Sequence, residues 1–241
     1  IKLHKHPPKI RSVSTANAKA HFDLDQNLCS ALQFLSHELL HFYITTGQFP
    51  FNPFYTTNAD LRAFMPKYTT TIHTLDVSGA YDKMRHADLL TQVSKLVNTI
   101  FSFHPHEFLI VRRHNCKWAH INVYSIYNHS HFTAAQIISI LKYILSNTFV
   151  TFNNQIFRQT LGAPQGNSSS GQLLHALTLS ALLHFFDSTP QDPTHFLSNA
   201  ADDFLTIGYS PADIILLQST FADLGLQLNL QPPSSDNFHT Y

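Results

Sequence analysis

The chain has 241 residues, enough for one large core or two small domains. Hydrophobic residues make up 44% and charged residues only 12%, about half the usual share, with Lys plus Arg balancing Asp plus Glu at 15 each. Two cysteines, Cys29 and Cys116, argue against a disulfide scaffold; no apolar run approaches the roughly 20 residues of a membrane span, and no apolar leader follows Ile1-Lys2-Leu3-His4-Lys5.

These features read as a soluble intracellular protein. Low average charge argues mildly against nucleic-acid binding, because phosphates call for basic surface. The distribution softens the point: Lys2, Lys5, Lys9, Arg11 and Lys19 crowd the first 20 residues. The 17 histidines add positive charge only below about pH 6.5.

Residues 1–20 read as extended and basic, with Pro7-Pro8 excluding helix. Leu28, Leu32, Leu35, Leu39 and Phe42 keep a helical period, which predicts a helix over 25–42. Residues 45–66, with Pro50, Pro53 and Pro66 among aromatics, read as an ordered loop. Thr69 to Val77 is β-branched and predicts a strand, broken by Ser78-Gly79. A helix follows, with Leu89, Val93, Leu96, Val97 and Ile100 on one face.

Residues 104–131 read as a histidine-rich irregular segment, followed by a helix over 133–145. Thr148–Arg158 reads as a hairpin turning at Asn153-Asn154. After a loop at Gly162–Gly166, an apolar helix runs from Ser168 to about Phe186. Phe196–Ala200 and Phe204–Tyr209 flank Asp202-Asp203 as paired strands. Ser210-Pro211 starts the last helix, Gly225 ends it, and Leu226–Leu230 alternates like a strand. The order strand, helix, hairpin, helix, strand predicts an α+β fold, a ferredoxin-like split βαβ antiparallel sheet that brings Asp76 next to Asp202.

Three fragments carry the chemistry: Leu75-Asp76-Val77-Ser78-Gly79-Ala80-Tyr81, Gly162-Ala163-Pro164-Gln165-Gly166 and Ala201-Asp202-Asp203-Phe204. Carboxylates converging from separate elements supply the hard oxygen ligands that two-metal phosphoryl transfer needs. An Asp pair alone is usually a hairpin turn; beside the other two fragments that balance reverses. Asp82 and Asp88 read as capping or surface residues, and Phe152, Phe157 and the aromatics of 49–55 as core. His114, Cys116 and His120, near His104, His106, His129 and His131, lack finger spacing and an evident fourth ligand, so the histidines read as compositional drift.

Together the fragments resemble the fingers-and-palm core of a reverse transcriptase. Asp76 to Asp82 resembles the first palm motif, Arg158 to Gly166 the nucleotide-facing loop, Ala201-Asp202-Asp203 the double-aspartate hairpin, and Ala222 to Asn229 the strand after it. Lys2-Leu3-His4-Lys5 through Ile10-Arg11-Ser12-Val13 resembles the fingers segment. The resemblance implies partial fingers at 1–68, palm at 69–103, a fingers-like, mostly helical insertion at 104–147, the rest of the palm at 148–230 and a tail at 231–241. It implies RNA-directed DNA polymerase activity with RNA template, DNA primer and dNTPs as partners.

The resemblance assigns Asp76 and Asp202 as ligands of two Mg²⁺, replaceable by Mn²⁺, with Asp203 a lesser ligand and Val77 offering its carbonyl. Tyr81 would be the steric gate against a ribose 2′-hydroxyl. Gln165 would lie over the nucleotide, with Gly162 and Gly166 allowing close approach to it. Arg11, with Lys2 or Lys5, would clamp the β/γ-phosphates. Gly79-Ala80-Tyr81-Asp82 and Asp202-Asp203-Phe204-Leu205, with the insertion, are similar to telomerase; Lys2-Leu3-His4-Lys5 and Phe152-Asn153-Asn154 through Gln159 are similar to Penelope-type retroelements.

The chain departs from these relatives at Leu230-Gln231-Pro232-Pro233, where they carry a lysine, and at Ser12, where many carry proline. The upstream fingers and a thumb are not evident, which suits a fragment or a reduced copy of a mobile element. Three readings follow: an active polymerase core, a degenerate copy that extends primers poorly, and a nucleic-acid-binding scaffold without catalysis.

Overall fold

The computed structural model describes residues 22–54, 71–112, 115–120, 130–163, 167–190, 192 and 194–231. Leucines at helical spacing and acids in the first turn give α1 (Phe22–Thr45), which buries Leu28, Leu32, Leu35 and Leu39. Two further amphipathic helices pack on it. The first is α3 (His86–Ser102), which buries Leu89, Val93, Leu96, Val97 and Ile100. The second is α4 (Ala134–Ser146), which opens with a Thr133/Gln136 capping box. The short helix α2 (Ala80–Lys83) precedes α3. At the centre α5 (Ser170–Ser188) buries Leu173, Leu177, Leu182 and Phe185 among others, and packs against α1, α3 and α6 (Pro211–Asp223). No described helix is long and apolar enough to cross a membrane.

The main sheet holds β1 (Ile72–Val77), β7 (Phe196–Ala200), β8 (Asp203–Ile207) and β9 (Leu228–Leu230). Its order is β7-β8-β1-β9, every neighbour antiparallel, which is the split βαβ arrangement expected of the strand–helix–hairpin–helix–strand order. One face carries Leu75, Val77, Leu197, Phe204 and Leu228, all buried. Phe204 meets Phe221 of α6 edge-on at 5.2 Å between ring centroids. The Ser210/Asp213 capping box with Pro211 starts α6, and left-handed Gly225 (φ 71) follows its end.

The segment read as irregular, and as a helical insertion, is instead a second antiparallel sheet of order β3-β2-β4, from β2 (Glu107–Arg112), β3 (Asn115–His120) and β4 (Ser130–Phe132). Among the described residues of this insertion, the expected helix is α4. The short apolar run Phe108-Leu109-Ile110-Val111 builds β2, and Leu109 and Val111 are buried. Trp118 fixes the sheet to the helices, meeting Phe34 at 6.0 Å and Phe101 at 5.0 Å edge-on while stacking on His104 at 3.9 Å. His104 is ion-paired to Glu107 (Nδ1 to Oε2, 2.5 Å). At least this histidine serves as a structural partner.

The hairpin β5 (Phe149–Phe152) and β6 (Gln155–Arg158) turns at Asn153 and Asn154, both left-handed (φ 50 and 60), as a type I′ turn demands. Phe157, expected in the core, is 46% exposed, and β6 is exposed along its length, because a two-stranded ribbon buries a face only where something packs on it. Phe49 is buried, and Phe51 and Phe54 pack against the core as expected. Residues 1–20, the loop beyond 54, His114, His129 and the tail beyond 231 lie outside the described residues.

Candidate active site

Strand alternation turns Leu75 and Val77 into the core, so Asp76 faces the other side of the sheet, where it is half-buried. Its register partners are Asp203 on β8 and Asn229 on β9. The Val77 N–H donates to the Asp202 carbonyl oxygen at 2.8 Å, making those two a hydrogen-bonded pair. By alternation Asp76 and Asp203 form the non-hydrogen-bonded pair, with Cα atoms about 4.5 Å apart and side chains on one face. The sequence places Asp76 next to Asp202; the register gives the directly opposing position to Asp203. The reason is the loop: strand β7 ends at Ala200 and Ala201-Asp202 form a two-residue turn, so β8 begins at Asp203. Asp202 sits one step on, beside Val77.

Ala201 holds a positive φ of 58, a conformation glycine adopts far more readily. Asp203 is exposed and Asp202 half-buried. All three carboxylates therefore reach the same sheet end. Among the described residues no group of three or more His, Cys, Asp or Glu side chains stands arranged to hold a metal ion. What the sheet supplies is an opposed pair of hard oxygen donors with a third carboxylate adjacent, a donor set whose chemistry suits Mg²⁺ or Mn²⁺.

Gly79, left-handed at φ 64, breaks the chain after β1 and starts α2, which carries Tyr81. Tyr81 is half-buried and packs against the core. The Gly162 loop is bonded to this turn through backbone. The Ala163 N–H donates to the Tyr81 carbonyl at 2.7 Å and the Gly162 N–H to that of Met84 at 2.7 Å. A Cβ on Gly162 would fall 2.5 Å from the Tyr81 carbonyl oxygen, and φ there is 84. The close approach that requires this glycine is thus to the Tyr81 turn. His86 Nε2 lies 2.9 Å from the Gly162 carbonyl oxygen, a bond that needs the proton on Nε2. Arg85 and Leu161 add an isolated β-bridge.

Beyond the loop, Asp25 of α1 is 2% exposed and accepts from the Ser168 N–H (2.7 Å) and the Ser169 hydroxyl (2.5 Å) at the start of α5. An acid in a first helical turn reads as a dipole partner for its own helix; only the fold shows that it anchors a loop 143 residues away. Lys83 Nζ donates to Gln227 Oε1 at 3.4 Å, next to the strand that carries Asn229. Asp88 pairs with Arg85, the surface role expected of it. Gln165 and Gly166 lie outside the described residues, as do Lys2, Lys5 and Arg11.

No protein-family profile and no curated protein sequence matches the chain. Solved structures do. Telomerase from Candida albicans, in complex with the TWJ fragment of telomeric RNA, superposes with a TM-score of 0.59 at 13% identity, over 89% of this chain and 36% of that one. Apo telomerase from Candida tropicalis gives 0.59 at 14% identity, over 87% and 36%. The same enzyme truncated from its C-terminal domain gives 0.55 at 14%, over 93% and 47%. The chain thus spans between a third and a half of the length of these proteins, and at such identity the likeness is one of fold. The fold is polymerase-like.

Proposed function

We propose that the chain is the fingers-and-palm core of an RNA-directed DNA polymerase, a nucleotidyltransferase that extends a DNA primer with dNTPs on an RNA template. The observation that carries this reading is the opposed Asp76–Asp203 pair, with Asp202 adjacent, at the end of a 4-stranded split βαβ sheet. Like charges placed directly opposite disfavour a strand pair, and a cation between them would relieve that cost, which supports this reading. Asp76, Asp202 and Asp203 would hold two Mg²⁺, or Mn²⁺ in their place, with the Val77 carbonyl beside them. Such ions supply activation of the primer 3′-hydroxyl and neutralisation of the leaving pyrophosphate.

Around that centre, Tyr81 would exclude a 2′-hydroxyl. Backbone bonds from Gly162 and Ala163 hold the turn that carries it, which supports coupling of the gate to that loop. Gln165 and Gly166 would cover the nucleotide, and Arg11 with Lys2 or Lys5 would hold its phosphates. The Candida albicans telomerase is bound to telomeric RNA; an RNA template for this chain agrees with the shared fold.

Two observations favour a second reading, a nucleic-acid-binding scaffold without catalysis: the carboxylates do not close into a three-ligand group, and Leu230-Gln231-Pro232-Pro233 after Asn229 holds no lysine. Primer extension on an RNA template with Mg²⁺ or Mn²⁺ decides between them. The polymerase reading expects extension by the wild type and none by Asp202→Asn. Binding of primer–template without extension, unchanged in Asp202→Asn, would leave the scaffold.

A further inference from the structure

Asn199 occupies a core-facing position on β7, opposite Phe204 and two residues from Leu197, yet it is an amide and only 6% exposed. A buried amide is costly unless its protons find acceptors. Here Nδ2 donates to the Ala201 carbonyl oxygen at 3.1 Å and to the Asp203 carbonyl oxygen at 3.2 Å. These two carbonyls bracket Asp202, one ahead of its amide nitrogen and one beyond Asp203. A single side chain therefore spans the segment that carries both carboxylates, from the core side of the sheet.

The turn needs such a brace. Left-handed geometry at Ala201 is unfavourable for a residue with a Cβ, and the two hydrogen bonds from Asn199 offset it. The brace is itself anchored. β7 is an edge strand, and the outward Asn199 N–H donates to the Pro53 carbonyl at 2.7 Å. Residues 49–54 are held in turn by Phe49 against Phe186 (5.0 Å) and Phe51 stacked on Phe196 (5.6 Å).

We propose that Asn199 is a positioning residue: its amide sets the backbone at Ala201–Asp203 and so the placement of the Asp202 and Asp203 carboxylates relative to Asp76. The role rests on the reading that these carboxylates hold divalent metal for nucleotidyl transfer. Asn199 touches neither metal nor nucleotide; it acts through the turn.

The test uses the whole chain with Asn199→Ala and Asn199→Ser, the serine keeping one donor. Hydrogen exchange at amides 200–204 and Mn²⁺ binding by electron paramagnetic resonance are read first, with Asp203→Asn as the metal-binding control. Asn199→Ala is expected to exchange about tenfold faster at the hairpin tip and to bind Mn²⁺ about tenfold more weakly, with Asn199→Ser between. Primer extension should lose about ten- to a hundredfold in kcat, with KM for dNTP within about twofold. Wild-type exchange and wild-type Mn²⁺ affinity in Asn199→Ala would overturn the proposal, and the same result in Asn199→Ser would do so if the alanine variant fails to fold. A wild type that binds Mn²⁺ but extends no primer would sink the polymerase reading alone, and exchange with Mn²⁺ affinity would still decide for or against Asn199.

Discussion

Asp76 and Asp203 stand directly opposite each other across β1 and β8, while Asn229 flanks Asp76 on β9. The register sets two carboxylate-bearing residues across from each other at the end of the sheet. Millimolar Mg²⁺ should raise the melting temperature of the wild type and leave that of Asp76→Asn or Asp203→Asn unmoved. Thermal unfolding with and without Mg²⁺ checks this, and equal stabilisation of all three proteins would remove the metal assignment.

The Gly162 contact makes a sharper demand. A Cβ there meets the Tyr81 carbonyl oxygen at 2.5 Å, at a φ no side chain favours. Gly162→Ala is expected to cost about 2 kcal/mol. It should also part the loop from the Tyr81 turn, lowering nucleotide addition beyond what the stability loss explains. Urea unfolding alongside primer extension at a temperature where the variant is folded separates the two effects.

Tyr81 is the expected sugar sensor. Tyr81→Ala, or Tyr81→Gly, should admit ribonucleotides and lower the dNTP/rNTP preference by at least about tenfold, in single-nucleotide incorporation assays. An unchanged ratio would show that the ring serves only the core it packs against.

His175 sets a pH limit. Burial of its ring in α5, 4.1 Å from that of Phe54, pulls the imidazole pKa down to about 4 from an ordinary 6.5. Between those values the unfolded chain binds a proton that the folded one refuses. Stability from this residue is thus full above about pH 6.5 and lost as pH falls toward 4. At pH 5 the loss is about 2 kcal/mol. Urea unfolding at pH 7 and pH 5 should show that His175→Gln shrinks the difference by about that amount.

Ala201 offers a test in the opposite direction. Relief of its left-handed strain predicts that Ala201→Gly gains about 0.5 kcal/mol, seen as a higher urea midpoint. A loss instead would mean that the alanine methyl makes contacts worth more than the strain it imposes.

Much was legible without coordinates because it depends on neighbours in sequence. The leucine spacing of α1, the Asn153-Asn154 turn, the Ser210-Pro211 helix start and the order of strands and helices around the main sheet each follow from periodicity or turn chemistry within a few residues. From that order the split βαβ sheet followed, and with it the meeting of Asp76 and the Asp202-Asp203 hairpin. Histidine richness hid β2 and β3, since the apolar run at 108–111 is short and β3 (Asn115–His120) mixes polar and apolar residues without a clean alternation. Register was decided by the fold alone: one residue of turn length determines whether Asp202 or Asp203 opposes Asp76, and side chains alternate faces at every step. The same holds for Asp25 at the start of α5, for Gly162 against the Tyr81 carbonyl and for the Asn199 amide under the hairpin tip. The Asp25 and Gly162 contacts join residues far apart in the chain, which only packing brings together; the Asn199 bonds reach only two and four residues on, and exist because the hairpin turns its tip back over the amide.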